Sequence, residues 1–226
     1  MNRNPLALAT FAAMLVSIYL IFMYAPTEAT MGDVQRIFYF HVSLAWTSFV
    51  AIFIVFIYSV RFLAQRDRDL DIKAFSAAEV GGIFSTTVLI SGPLWAKPVW
   101  GIWWTWDPRL TSAFVLWLVY MGYLVLRRLI ESPEQRARLS AVFGVLGAVD
   151  APIVYMSNRW WRTQHPAPVL AGGEGSGLDP QMRVTLYITF TACLLFFFYL
   201  WKLRCDLERT QEVIESLQRE SKFKGV

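Results

Sequence analysis

Long apolar runs are the feature that most limits what this chain can fold into. A helix that crosses a bilayer needs about 20 consecutive apolar residues. We place six such spans at 6–24, 42–63, 75–93, 110–130, 138–157 and 183–203. None alternates polar and apolar residues as the strands of a membrane barrel do. Because lipid cannot hydrogen-bond a free backbone, the runs predict an all-α integral membrane protein, a single six-helix bundle.

Composition and cysteine usage narrow the class further. The 226 residues are 56% hydrophobic and 17% charged, which is too apolar for a soluble domain. The net charge of +4 is not accompanied by the basic and aromatic interleaving that stacks bases, so we expect no nucleic-acid partner. Cys193 and Cys205 form no C-x-x-C pair, and we expect no disulfide, zinc or thiol redox centre. The first run lacks a small-residue cleavage site and is interpreted as a retained span.

Lysine and arginine are distributed unevenly between the two sides of the predicted bundle. Fifteen of the 21 lie on the side that holds both termini. The other six lie in or beside three connections, 25–41, 94–109 and 158–182. The positive-inside rule therefore places the termini and the polar tail, 204–226, in the cytoplasm, with the three connections facing the periplasm if the cell has one.

Three local patterns support further predictions. Ser76 and Glu79 have the spacing of a capping box at the start of span three. The glycine-rich segment 171–177 follows no strand and precedes no Gly-Lys-Ser/Thr, so we interpret it as an external loop tip and not as a phosphate cradle. The tail is polar with apolar residues at helical spacing, which favours a helix.

An unusual aromatic run fills the connection between spans three and four. It reads WGIWWTWDPRLT and contains Trp100, Trp103, Trp104, Trp106, Asp107 and Arg109. A helix opened by Pro98 and closed by Pro108 would place three of the indoles and the acid on one face. We therefore predict a short external helix that offers a flat aromatic surface to a large planar apolar ligand. An interfacial anchoring belt is the alternative, although belts occupy both interfaces and these indoles lie on one side.

The two histidines fall on the same predicted side as the tryptophans. His41 ends the first external connection, and His165 lies in the third, each beside aromatic residues. Imidazole is a common axial ligand of haem iron, and two imidazoles can fill both axial positions. An interfacial histidine hydrogen-bonded to a carbonyl is the alternative for each, and both interpretations stay open at this point. External arginines are available for the propionates: Arg36, Arg109, Arg159 and Arg162.

Asp150 is a lone acid within span five, followed closely by Pro152. An ionisable residue inside a span is a functional candidate by default. The alternative is a hydrogen bond to backbone that the proline frees. Both interpretations remain open, and the spans show no second interior charge that would support an ion relay.

The tryptophan run closely resembles the WWD motif of haem-handling proteins in cytochrome c maturation. Three flanking segments, 36–42, 150–157 and 160–166, resemble the corresponding segments of the CcmC family. The resemblance extends over roughly residues 30–200. Other WWD proteins, the CcmF-type and CcsA-type haem lyases, are larger and carry additional histidines inside their spans, whereas this chain has two histidines in all.

The resemblance implies a haem-binding and haem-delivery protein and not a self-contained enzyme. CcmC-like proteins hold haem b non-covalently at the external leaflet of the bacterial inner membrane. They attach it to the haem chaperone CcmE with the small membrane protein CcmD, and the ABC transporter CcmAB then releases the loaded chaperone. At the matching positions, His41 and His165 would be the axial ligands of the iron. Haem and chaperone contacts would come from Trp100, Trp103, Trp104, Trp106 and Asp107, and polar contacts near the propionates from Arg36 and Arg109.

Two other functions stay open, and two positions depart from the family pattern. The chain could be a haem lyase that acts directly on apocytochrome c, or a permease subunit that exports a small lipophilic molecule.

Pro108 stands where a small residue is expected, and Ser43 stands where proline is common. We expect Pro108 to affect where the external helix stops.

Overall fold

Six long helices account for most of the chain. The computed structural model describes residues 4–166 and 177–223. The helices are α1 Pro5–Tyr19, α2 Ile37–Gln65, α3 Arg68–Trp100, α4 Pro108–Leu129, α5 Pro133–Trp160 and α6 Pro180–Phe223. Six helical segments are long and apolar enough to cross a membrane, the first of them being α1 together with the turn that continues it to Tyr24, and the described residues contain no β-strand. The prediction of an all-α membrane fold with six spans is confirmed, whereas the orientation of the termini stays a prediction.

Short irregular turns extend two of the helices at one end of the bundle. A π-helical turn, Leu20–Tyr24, continues α1, and a 3-10 turn, Asp33–Arg36, leads directly into α2. α6 continues past its apolar part to Phe223, so the predicted helical tail is confirmed for its described residues. Residues 171–176 of the glycine-rich segment lie outside the described residues.

α1, α3, α4 and α5 each start with a side chain that caps the first turn. Asn4, Asp67 and Asp107 each accept a backbone N–H from the first turn of the helix that they precede. Ser132 does the same for α5 at 3.5 Å. Three of these four caps are followed directly by proline, whose missing N–H would be unpaired in the first turn anyway.

The predicted external helix between spans three and four is wrong. Trp100 is the last residue of α3, which runs through Pro98 without ending there. Gly101 ends α3 in the left-handed conformation, with a φ of 77° that glycine adopts without strain. The residues 101–107 are not helical. Pro108 is the first residue of α4 and does not close a helix, because the Asp107 carboxylate caps the turn that begins there.

Close helix contacts at small residues hold α2 in the middle of the bundle, against α3, α5 and α6. A Cβ built on Gly81 of α3 would lie 2.7 Å from the Ala51 Cβ of α2. A Cβ built on Gly144 of α5 would lie 2.5 Å from the Ser59 Oγ. Small residues at such crossings let two backbones approach, which is a main source of packing energy between helices in lipid.

Replacing Gly81 with alanine is expected to destabilise the bundle. The new methyl group would meet the Ala51 Cβ, which has no rotamer by which to move away, so α2 and α3 must separate. We expect a loss of about 1–3 kcal/mol, the usual cost of overpacking. Thermal unfolding in detergent measures it. Gly122→Ala is the matched control, because its Cβ would lie 3.9 Å from the Phe143 ring. Equal unfolding temperatures for the two variants would contradict the assignment.

A buried ion pair joins α3 and α4 at the tail end of the bundle, which we define as the end where α2 ends and α3 begins. Arg127 donates two hydrogen bonds to Asp71, at 2.6 and 3.0 Å, and both side chains are almost fully buried. Arg68 also contacts Asp71 at 2.5 Å and reaches Glu212 of α6. Three helices are therefore tied together by one carboxylate and its neighbours.

Glu79 has a different role from the one predicted. Because α3 begins at Arg68, Ser76 and Glu79 lie inside the helix, and the predicted capping box is wrong. The Glu79 carboxylate lies 2.5 Å from the Arg204 guanidinium of α6. This contact adds a second link between α3 and α6 near the tail end.

Candidate functional site

The tryptophan run and both histidines meet at the end of the bundle opposite the tail end. We call this the tryptophan end, where α3 and α5 end and α2 and α4 begin. Consecutive helices run in alternating directions, so segments far apart in sequence, such as 37–41, 95–110 and 158–166, are brought to one end.

His41 is held against α3. It lies in the first turns of α2 and not in a connection, because α2 begins at Ile37. Its side chain is buried, with the residue 9% exposed. Its Nδ1 lies 2.9 Å from the Ser91 Oγ, and its ring meets Trp95 edge-on with 5.9 Å between ring centroids. One ring nitrogen is thus engaged with the protein.

His165 lies in the irregular segment that follows α5. Its Nδ1 lies 3.0 Å from the Pro166 carbonyl oxygen. A carbonyl only accepts, so Nδ1 carries the hydrogen and Nε2 keeps a lone pair. Burial lowers the pKa of His165, and the positive charge of Arg109 lowers it further. The neutral imidazole, which is the form that binds metal, is therefore favoured at neutral pH.

Asp107 and Thr163 position the segment that carries His165. The His165 N–H donates to the Thr163 Oγ at 3.1 Å, and the Thr163 hydroxyl hydrogen-bonds Asp107. Burial raises the pKa of Asp107, but hydrogen bonds from the Leu110 N–H, both threonine hydroxyls and the Arg109 N–H outweigh it and lower that pKa overall. Asp107 is therefore an ionised cap whose acceptors are occupied by the chain itself.

Arg109 links α4 to the same segment. Its guanidinium donates to the Val154 carbonyl and to the Asn158 Oδ1 at the end of α5. The Asn158 amide in turn donates to the Pro166 carbonyl, the group that orients His165. Arg109 thus supports the histidine through α5, in addition to the propionate contact predicted for it.

The structure brings the two histidines together. His41 contacts Ser91 and Trp95 in the last turns of α3, and the segment of His165 is held by Asn158 at the end of α5 and by Arg109 at the start of α4, through Asn158. His41 is anchored on α2 and α3, and His165 is anchored on α4 and α5. Four helices therefore contribute to one small region at the tryptophan end.

The indoles of the tryptophan run do not form a single flat surface. Trp104, Trp106 and Phe114 meet edge-on, with ring centroids 5.7 to 6.2 Å apart, and Phe114 stacks on Trp117. Trp103 lies apart, with the Lys97 ammonium 5.9 Å from its ring centroid. Trp103 and Trp106 are 54% and 73% exposed, whereas Trp100 and Trp104 are half-buried.

Two buried indole N–H groups lack an acceptor. In the part of the chain that the structure describes, neither the Trp95 Nε1 nor the Trp104 Nε1 has a hydrogen-bond partner. A buried unpaired donor costs about 1–3 kcal/mol, which makes both groups candidates for binding a ligand's oxygen atoms. Trp95 was not among the predicted site residues, although it lies only five residues before Trp100 in the same aromatic region.

The Arg36 guanidinium is hydrogen-bonded to residues between Ile21 and Asp33 and contacts neither histidine in the described structure. It donates to the Ile21 carbonyl of the π-helical turn, to the Thr27 hydroxyl and to the Asp33 carboxylate. It also lies 5.9 Å from the centroid of the Phe22 ring. The observed contacts join the π-helical turn to the start of α2, so its described partners are structural.

Asp150 lies in α5, where one of its carboxylate oxygens is buried and has no hydrogen-bond partner among residues 4–166 and 177–223. The hydrogen bond to freed backbone that the sequence left open is not made by this oxygen. A functional role for Asp150 stays a prediction.

Comparison of the sequence with known proteins shows the family to which the chain belongs. The sequence model of the family described as Heme exporter protein C matches residues 2–220. This chain belongs to the CcmC family. It is 35% identical to the Heme exporter protein C of Bradyrhizobium diazoefficiens over 214 residues, which covers 94% of this chain and 81% of that protein.

Relatives come from mitochondria as well as bacteria. A putative cytochrome c biosynthesis ccmC-like mitochondrial protein of Marchantia polymorpha is 32% identical over 88% of this chain and 82% of its own length. The Heme exporter protein C of Escherichia coli K12 is 30% identical over 80% of this chain and 73% of its own length. The similarity to CcmC proteins thus includes both ends of the bundle.

Proposed function

We propose that this protein binds haem b non-covalently at the periplasmic face of the inner membrane and delivers it to a CcmE-like haem chaperone. The family supports a role in haem handling for cytochrome c maturation. The single observation that supports the finer proposal is the position of both His41 and His165 at the tryptophan end of the bundle. The Nε2 of His165 has its lone pair free for iron, since Nδ1 donates to Pro166.

The residues present fit a porphyrin as cargo. His41 and His165 would supply both axial nitrogens, and the rings of Trp95 and Trp104 would cover apolar porphyrin surface. The unpaired Nε1–H groups of those two tryptophans would donate to oxygen atoms such as the propionates. Arg109 adds positive charge beside both imidazoles. The iron supplies the redox chemistry, while the protein binds, orients and partly shields the ring.

Delivery requires a surface on which a chaperone can dock beside the bound haem. Trp160 and Trp161 are 56% and 50% exposed, and Trp103 and Trp106 are exposed as well. Clustered exposed indoles are typical of protein interfaces, where they anchor a partner. We propose that these four side chains contact the chaperone. A CcmD-like membrane protein and a CcmAB-like transporter are the further partners that family membership suggests.

A haem titration followed by co-purification tests the proposal. The purified protein, freed of haem, is titrated with haem b in detergent and monitored by absorption. We expect a low-spin spectrum with two nitrogen ligands at one haem per chain. The loaded protein is then incubated with a soluble CcmE-like chaperone or with apocytochrome c. Capture of the chaperone supports delivery, and haem attachment to apocytochrome alone supports a lyase. Absence of saturable haem binding would contradict both.

A permease subunit predicts a different outcome. Export of a small lipophilic molecule would require flux in reconstituted vesicles that survives loss of either histidine. Nothing in that function requires imidazoles from α2 and from the segment after α5 to meet at one end. Histidine-independent flux without haem binding would therefore favour the permease.

A further inference from the structure

The buried imidazole of His41 is the end of a short hydrogen-bond chain on α3. Its Nδ1 lies 2.9 Å from the Ser91 Oγ. The Ser91 hydroxyl in turn donates to the Val88 carbonyl one turn earlier, at 3.2 Å. Both contacts lie on the face of α3 that packs against α2.

The hydrogen bond from Ser91 to Val88 favours one tautomer of the His41 imidazole. A serine hydroxyl has one hydrogen, and the Val88 carbonyl can only accept it. In the arrangement in which Ser91 donates to Val88, the Ser91 oxygen accepts from the ring and His41 Nδ1 is the donor. Nδ1 therefore carries the ring's hydrogen, and Nε2 keeps the lone pair.

Packing restricts rotation of the ring about its bond to Cβ. A Cβ built on Gly92 would lie 3.4 Å from the His41 Cε1, so α3 passes directly beside the ring. Trp95 meets the ring edge-on from the next turn of the same helix. Ser91, Gly92 and Trp95 thus form one wall, and the hydrogen bond selects which edge of the imidazole faces that wall.

We propose that Ser91 is a positioning residue that fixes the tautomer and orientation of His41 so that Nε2 faces the haem iron. The inference rests on the proposed function, because it assigns Ser91 a role only if His41 is an axial ligand. A hydrogen bond from the distal nitrogen of a ligating histidine raises the basicity of the nitrogen that binds the metal. Ser91 would therefore strengthen iron binding and favour ferric over ferrous haem.

Three variants of the whole 226-residue chain separate this role from simple packing. Ser91→Ala removes the acceptor, whereas Ser91→Thr keeps a hydroxyl at the same place. Ser85→Ala is the matched control, because the Ser85 hydroxyl makes the same kind of bond to a carbonyl three residues earlier in α3, at 3.1 Å, and does not contact a histidine. We expect Ser91→Ala to weaken haem b binding by about 10- to 100-fold and to raise the haem reduction potential. Ser91→Thr and Ser85→Ala should resemble the parent protein.

Nitrogen NMR of the haem-free protein gives a readout that does not depend on haem. Selective ¹⁵N labelling of histidine, with His41→Ala for assignment, shows which ring nitrogen carries hydrogen. We expect hydrogen on Nδ1 in the parent protein and a mixture of tautomers in Ser91→Ala. Hydrogen on Nε2 in the parent, or unchanged tautomer and potential in Ser91→Ala, would overturn the inference.

The same experiments distinguish failure of the inference from failure of the proposed function. If His41→Ala abolishes the two-nitrogen haem spectrum but Ser91→Ala changes neither affinity nor potential, only the role of Ser91 is refuted. If His41→Ala leaves the spectrum unchanged, His41 is not a ligand, and both proposals fail together.

Discussion

Replacing either His41 or His165 with alanine is expected to abolish the two-nitrogen haem spectrum and to weaken haem binding by at least about 100-fold. The estimate is a lower limit, because losing a residue that only hydrogen-bonds a metal ligand already lowers metal affinity by about 10- to 100-fold. Each substitution removes one axial nitrogen directly. Absorption spectra and haem titration of each purified variant measure the effect.

Free imidazole provides the control for these two variants. If alanine leaves a gap beside an intact haem pocket, millimolar imidazole should enter it and restore the low-spin spectrum. Unchanged elution on size-exclusion chromatography would show that the bundle is still folded. Retention of the parent spectrum by either variant, without added imidazole, would remove that histidine from the proposed ligand pair.

Comparing Arg109→Ala with Arg36→Ala would separate a site arginine from a structural one. Both were predicted near the propionates, but the described contacts of Arg36 are with the Ile21 carbonyl, Thr27 and Asp33. Arg109 lies beside both histidines and supports the end of α5. The order of the spans along the sequence predicts that both arginines lie on the same side of the membrane. The sequence does not predict which guanidinium is already hydrogen-bonded within the protein, because those contacts join distant residues.

The number of spans could be predicted because it follows from apolar length alone, and lipid permits few alternatives for such runs. The ends of the helices could not be predicted as well. Pro98 suggests a helix start, yet α3 continues through it to Trp100 because the turn that it weakens lies within a longer helix. Asp107 was assigned a haem contact by resemblance, whereas locally it caps α4. An N-cap is a short-range pattern, and Asp-Pro at a helix start would have revealed it.

Ion pairs between residues far apart in the sequence could not be predicted from local patterns. The spacing of Ser76 and Glu79 matches a capping box, but residues 68–74 are also helical, so α3 begins at Arg68. The Asp71–Arg127 pair joins residues 56 positions apart. Only the packing of α3 on α4 brings them together.

Asp71→Ala is expected to destabilise the protein by about 3–5 kcal/mol. The Arg127 side chain is 3% exposed and lies 2.6 Å from Asp71, so the substitution leaves a buried guanidinium without its carboxylate. The Phe75 ring, whose centroid lies 4.0 Å from that guanidinium, offers only a partial substitute. Thermal unfolding in detergent measures the loss. Haem affinity below the unfolding temperature should change little, because the pair lies at the tail end.

The matched control is Asp206→Ala, which breaks an exposed pair with Arg209, and its stability should stay within about 0.5 kcal/mol of the parent. A double variant tests the mechanism itself. Asp71→Leu with Arg127→Met removes both charges and fills similar volume, so most of the lost stability should return, since the cost of the single variant is an uncompensated charge and not a missing attraction. If the double variant were as unstable as Asp71→Ala, the contacts of Asp71 with Arg68, and through it Glu212, would be the main contribution of this carboxylate.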